Sequence, residues 1–378
     1  MDRRAEFHPR IESLRGIAAL MVAVFHSIHL LPVDGIPHVY LRTISDVHGA
    51  QAITTRLLMV FFNGGAAVSL FFVMSGLVLA LSLRRDQRPV SQLAPAFAAR
   101  RFFRIYPTLA FNVLVYAAAM WIVSSEWRWL YRDSPSVRAV RDNLILVDTG
   151  VNGATWSLAV ELLAVPFILL VHLLTRGRSA WLILLPAALA RIALFSPFLL
   201  LRFRYLYLFL FLFIWGMAIP LVAPSWMRRC SPRVTLVGLC AGALLLLGAR
   251  FVFGYWSRTS LGVEGIGATI LVSIVAYGRE IRPLRFLDGA VVRFLGRTSY
   301  SFYLYHPLFL SLGVPIVTAV LSSTSLAAEY PLAVGLLIAV VTVLPAALAG
   351  KLSFDWIERP SVRLGRHLED LATRPARW

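Results

Sequence analysis

RIESLRGIAALMVAVFHS, residues 10–27, decides the fold. Its opening third is charged and the remainder is apolar, broken only by His26 and Ser27 close to the end. A helix needs roughly 20 mostly apolar residues to cross a bilayer. Runs of that length recur along the whole chain, and spans are predicted at 14–31, 57–83, 106–124, 156–175, 180–200, 204–222, 233–251, 260–278, 298–321 and 331–354. Arg191 interrupts the fifth span and Glu264 opens the eighth. Of 378 residues 58% are hydrophobic and 15% charged, where a soluble domain carries about a quarter charged. The class that follows is all-α: a polytopic integral membrane protein of about ten transmembrane helices. No small-residue cleavage site follows the first apolar run, so it reads as an uncleaved helix rather than a signal peptide.

A net charge of +18 would suggest nucleic acid in a soluble protein. In a membrane protein, basic residues gather in cytoplasmic loops. With the N-terminus inside, the inner segments hold 26 of the 37 basic residues and the outer loops 10. Both termini are therefore expected in the cytoplasm, and no nucleic-acid partner is needed. Trp127, Trp129 and Tyr131 belong to an outer loop too short for a catalytic domain. The two cysteines, Cys230 and Cys240, imply neither a disulfide framework nor a metal site.

Ionisable residues inside a membrane are costly and face a bundle interior or a cavity. Arg15 and His26 are eleven residues apart, which at 100° per residue leaves them about 20° apart on one face and about 16 Å apart along the axis. They can line one passage, Arg15 at its inner mouth and His26 deep within; the plainer reading of His26 is a packing hydrogen bond. His29 lies near the same face, closer to the outer surface. Glu161 in TWSLAVE is read as the one acidic residue well inside the hydrocarbon. Glu161 and His26 each lie about five residues, roughly 8 Å, from the outer ends of their spans. Equal depth permits a His–carboxylate pair, in which the acid fixes the imidazole tautomer; a structural ion pair is the alternative.

Arg101 and Arg104 in RRFFRIYP are three apart and neighbours on a helix. With Arg15 they can hold an anionic cosubstrate, since guanidinium binds phosphate bidentately, or simply anionic lipid. Ser75 and Gly76 in LFFVMSG read first as packing residues. SYSFYLYHP, residues 299–307, places Tyr303 and His306 on one face, and Pro307 frees a backbone carbonyl one turn earlier. No phosphate-binding glycine loop, zinc-protease motif, paired CxxC or nucleophile elbow is present in the sequence.

Taken together, six segments in order resemble the acyltransferase-3 family of membrane O-acyltransferases. They are RIESLRGIAALMVAVFHS with its Arg15 and His26, SLFFVMSGLVLAL with Leu77 where phenylalanine is common, RRFFRIYP, TWSLAVE, SYSFYLYHP and IERP. The resemblance implies an acyltransferase-like transmembrane domain at 1–360, a short basic cytoplasmic tail at 361–378, and the stand-alone form without a fused SGNH hydrolase domain. It implies a multi-pass protein of the bacterial cytoplasmic (inner) membrane, in contact with membrane lipids. It also implies transfer of an acyl group, often acetyl, from cytoplasmic acyl-CoA as cosubstrate to a hydroxyl of a cell-surface carbohydrate or lipid-linked glycan, with no bound cofactor and no metal.

The roles that follow are expectations. Arg15, Arg101 and Arg104 would receive the phosphates of coenzyme A. His26 would act as general base or acyl relay, with Glu161 orienting it. Tyr303, His306, Ser75 and Trp156 are candidates for an oxyanion or acceptor site. A transporter of a lipid-linked sugar or acyl donor, without chemistry of its own, is the alternative that buried His, Glu and Tyr also suit.

Overall fold

The computed structural model describes residues 8–42, 44–128, 133–195 and 205–373. Among these residues the only β pairing is a single bridge between Val33 and Ile36. The helices are α1 (Pro9–Ile28), α2 (Ala50–Phe61), α3 (Gly64–Arg85), α4 (Val90–Ile122), α5 (Val137–Leu144), α6 (Trp156–Thr175), α7 (Leu184–Ala193) and α8 (Leu206–Met227). They continue with α9 (Pro232–Phe253), α10 (Arg258–Tyr277), α11 (Ala290–Leu321), α12 (Leu326–Glu329), α13 (Pro331–Ser353) and α14 (Arg359–Thr373). Among the described residues nine stretches are long and apolar enough to cross a membrane, and Trp181–Ala193 is a shorter apolar helix. The ten predicted spans are thus all helical, the fifth being the short one. Its predicted end, like Trp129 and Tyr131, lies outside the described residues.

Two boundaries differ from the sequence reading in ways that matter. The second span divides at Phe62–Asn63, where Asn63 Oδ1 accepts from the Ala66 amide at 3.1 Å and caps α3. The third begins at Val90 rather than 106 and runs unbroken through Pro95 and Pro107. Proline removes only one donor from a helix, so a basic, proline-bearing stretch that looked like a loop is the inner part of α4. Arg101 and Arg104 consequently lie eleven and fourteen residues inside a helix.

Helix crossings rest on glycine. A Cβ placed on Gly76 would lie 2.0 Å from the Phe213 carbonyl oxygen, and one on Gly216 would lie 2.1 Å from that of Val73. These two residues set the α3–α8 contact, as the packing reading of Gly76 expected. On α1, a Cβ at Gly16 would lie 2.4 Å from the Gly296 amide nitrogen of α11. Only residues without side chains permit such an approach. From this crossing α1 and α11 run the same way, and ten residues, about 15 Å, lead to His26 on one and His306 on the other. Gly16→Val is therefore expected to force the pair apart and cost about 1–3 kcal/mol of overpacking. An unchanged thermal unfolding midpoint in detergent would contradict it.

A second acidic residue is buried in the bundle beside Glu161. Glu264 is 0% exposed and accepts from Arg250 Nε at 2.5 Å and from Ser69 Oγ at 2.7 Å. This corrects the view that Glu161 is the sole buried acid: the cation that compensates Glu264 comes from α9, fourteen residues upstream. Gly65 leaves the room, since a Cβ there would meet the Arg250 guanidinium at 2.2 Å. Breaking one side of a buried ion pair costs about 3–5 kcal/mol. Glu264→Ala should show that loss in thermal unfolding, and Glu264→Ala combined with Arg250→Met should show much less; equal losses would contradict the pairing.

At the inner surface, the segment after residue 360 continues as α14 and docks on α4. Glu369 accepts from Arg100 Nη1 at 2.6 Å and pairs with Arg88, and Asp86 accepts from Arg88 Nη2 at 2.5 Å and from Arg100 Nη2 at 3.1 Å. The hydrogen bond from Arg88 holds the Asp86 carboxyl well below the usual carboxylate range. Asp86 therefore stays ionised at any ordinary pH.

Candidate active site

His26 and His306 meet where α1 and α11 bring them level. His26 Nδ1 lies 3.1 Å from His306 Nε2, and the rings stack at 5.3 Å between centroids. His306 is fully buried, whereas His26 is half-buried and keeps one side accessible. The second nitrogen of His306, Nδ1, lies 2.6 Å from the Tyr303 carbonyl oxygen. That carbonyl would ordinarily receive the amide of residue 307, which is proline and has none. The imidazole takes the vacated place.

This chain of contacts fixes the tautomers. A carbonyl oxygen only accepts, so His306 Nδ1 carries the proton and its Nε2 offers a lone pair. His26 Nδ1 must then donate to that lone pair, which leaves the lone pair of His26 Nε2 free. An unprotonated imidazole nitrogen on the accessible member of the pair is what a general base or nucleophile requires.

The carboxylate expected beside His26 is elsewhere. Glu161 pairs with Arg101 and accepts from Ser75 Oγ at 3.1 Å. Equal depth along two helices says nothing about which faces meet, and the inward run of α4 carries Arg101 to Glu161. The partner that stands beside His26 is His306, whose Nε2 can accept from His26 Nδ1. Arg104 Nη1 reaches Glu358 at 2.7 Å, and Glu358 is fully buried and also accepts from Ser301 Oγ at 2.7 Å. Of the three arginines expected to bind phosphate, two are thus neutralised by carboxylates. Arg15 makes no hydrogen bond or ion pair among the described residues, while lying within electrostatic reach of Glu12, Glu161 and Glu358.

Arg15, Ser75, Ser157, Glu161, Tyr300 and Tyr303 line a narrow cavity of about 50 Å³, walled by Phe71 and Phe72. Of the two residues expected to line one passage, it holds Arg15 and not His26. A water takes about 30 Å³ of liquid, so this space admits no acyl thioester until a side chain moves. The outer stop is Tyr303, whose Oη lies 3.1 Å from Ser157 Oγ and whose ring lies 5.4 Å from that of His306. Tyr303 therefore separates the arginine-lined cavity from the histidine pair. Arg15 lines this cavity and the two histidines do not, so the one passage expected along the shared face of α1 is interrupted at Tyr303.

A family model described as an acyltransferase domain matches residues 8–350. The chain belongs to this family. Among curated proteins, acyltransferase MdmB of Streptomyces mycarofaciens is 26% identical over 355 residues, covering 86% of this chain and 88% of that protein. No solved structure matches. The protein is a multi-pass membrane acyltransferase.

In this acyltransferase the remaining predicted residues take separate places. Trp156 packs with Phe72, Phe209 and Tyr205 in an aromatic cluster between α3, α6 and α8. His29 stacks on Phe25 at 5.0 Å and hydrogen-bonds the Phe25 carbonyl through Nδ1 at 3.0 Å. Two residues the sequence reading passed over satisfy a backbone carbonyl of α11 beside Pro307. Asn152 Nδ2 donates to the Leu304 carbonyl at 2.9 Å and to Asn112 Oδ1 at 2.7 Å, and Asn112 Nδ2 donates to the same carbonyl at 3.2 Å. Both asparagines are fully buried. Pro307 was the signal that could have found them, because a proline inside a membrane helix leaves carbonyls that must be satisfied from outside the helix.

Proposed function

We propose that this acyltransferase moves an acyl group, acetyl in the simplest case, from cytoplasmic acyl-CoA to a hydroxyl of a cell-surface or lipid-linked carbohydrate, in the inner membrane of a bacterium. The observation that carries the reading is the free Nε2 of His26, held within a bundle whose inner cavity is headed by Arg15, which makes no ion pair among the described residues. The relative MdmB, itself named an acyltransferase, supports the class of reaction.

The acceptor hydroxyl gives its proton to His26 Nε2 as its oxygen attacks the thioester carbonyl. The carbon–sulfur bond breaks, the thiolate of coenzyme A departs, and the proton on His26 is available to neutralise it. His306 stabilises the imidazolium by accepting from Nδ1. In the relay version, Nε2 attacks the thioester carbonyl and the thiolate departs. The hydroxyl then attacks the acyl-imidazolium, the carbon–nitrogen bond breaks, and the hydroxyl proton passes to the freed Nε2 and from there to the thiolate. Arg15 offers the donor a cation at the inner mouth. Arg101 and Glu161, fixed to each other and to Ser75, hold the cavity wall in register. The Tyr303 ring swings clear of Ser157 to admit the thioester, which frees its hydroxyl to donate to the developing oxyanion.

Purified protein in liposomes, supplied with labelled acetyl-CoA and a hydroxyl-bearing glycan, is the test. Labelled glycan formed without an ion gradient supports the proposal. Labelled donor consumed only in step with transport, and never found on the glycan, would overturn it.

A further inference from the structure

Arg101 and Arg104 already face carboxylates, so a phosphate-bearing ligand needs cations elsewhere. Between the inner end of α11, the end of α13 and the turn that follows lies a groove of about 440 Å³, lined by Phe294, Arg297, Lys351, Phe354, Asp355 and Arg359. Its volume falls within the roughly 300–1,000 Å³ of small-ligand sites. Three cations against one carboxylate leave it formally at +2. Lys351 pairs with Asp355. Arg297 and Arg359 are exposed and make no ion pair among the described residues.

Its floor is a π-helical turn, Phe354–Glu358. Such turns are rare and concentrate at functional sites. This one sends Glu358 inward to Arg104 and Ser301, while Phe354 and Arg359 face the groove. Two phenyl rings beside two uncompensated guanidiniums suit a ligand with an apolar or flat body and a phosphate. Guanidinium groups recognise phosphate bidentately. At 100° per residue, Phe294 and Ser301 fall on one side of α11, and Ser299 and Tyr303 on the cavity side. Arg297 falls on the side of Phe294 and Ser301, within electrostatic reach of Glu12, which also senses Arg15 and Arg104.

We propose that this groove is a phosphate-recognition site at the inner membrane surface, for the nucleotide end of the acyl donor or the headgroup of an anionic phospholipid. The nucleotide source rests on the donor reading above; the phospholipid source does not. The axial distance from Arg297 to His306 is nine residues, about 14 Å. A pantetheine arm has the chain length of about four residues, also roughly 14 Å when extended. A nucleotide held at Arg297 would therefore have an arm long enough to bring its thioester to the level of the histidine pair along α11.

The test compares full-length purified wild type with the double variant Arg297→Gln, Arg359→Gln, and with a control, Arg228→Gln, Arg229→Gln, at an inner loop outside the groove. One probe is adenosine 3′,5′-bisphosphate, read by equilibrium dialysis. The other is phosphatidylglycerol retained from nanodiscs, read by native mass spectrometry against phosphatidylcholine. The groove variant is expected to lose about tenfold or more in affinity for one probe, with an unchanged unfolding midpoint, while the control keeps it. A loss confined to the bisphosphate, with a raised KM for acyl-CoA, assigns the donor. A loss confined to phosphatidylglycerol, with KM unchanged, assigns the lipid. Wild-type binding of both probes by the folded groove variant, or an equal loss in the control, would overturn the proposal. Both probes are read without turnover, so a protein that failed to transfer acyl groups would still return an answer.

Discussion

Replacing His26 by alanine is expected to lower acyl transfer by about 10²- to 10⁴-fold, the usual contribution of a positioned general base. The loss should fall on kcat, because Nε2 meets the acceptor proton in the transition state and makes no contact on which donor binding depends. Folding should survive, since His26 is half-buried and its one hydrogen bond is to His306. Alanine leaves His306 Nε2 without its donor, at a cost of about 1–3 kcal/mol, well short of unfolding a bundle of this size. Membrane yield and unfolding midpoint check the fold, and initial rates with labelled acyl-CoA check the chemistry. A variant transferring at the wild-type rate would remove His26 from the mechanism.

The second large effect is on stability. Glu161→Ala removes the carboxylate that faces Arg101, accepts from Ser75 and lies within reach of Arg15. A charge left alone in a bundle costs about 3–5 kcal/mol, so the variant should unfold at a markedly lower temperature. Adding Arg101→Met removes the orphaned cation, and the double variant should recover most of that loss. Coupling of this kind is expected between groups in one ion pair and absent between distant ones. Additive losses in the two single variants and the double variant would contradict the pairing.

Most of the fold was legible because the bilayer reduces folding to apolar length, and every predicted span is helical over most of its described residues. The misreadings came from charge and from angle. The basic residues of 84–105 placed the inner part of α4 outside the third span, and with it went the reach of Arg101. Depth along a helix can be counted from sequence, whereas the direction a side chain faces depends on which helices touch. Glu161 and His26 were therefore paired on depth, and the partner that the Gly16–Gly296 crossing delivers to His26 is His306. Both glycines were visible in the sequence, but nothing in their flanking residues says that they oppose one another. SYSFYLYHP did contain the answer in part: Pro307 leaves a carbonyl open, and the histidine before it is the nearest donor.

The central claim is that His26 and His306 act as one unit. The most direct measurement is a double-mutant cycle on acyl transfer with His26→Ala, His306→Ala and the two combined, each checked for an unchanged unfolding midpoint. Residues that act as a unit are far from additive. The double variant is predicted to transfer no more slowly than His26→Ala alone, because His306 works only through the tautomer and charge of His26. Losses that simply multiply would show two independent residues and contradict the pair.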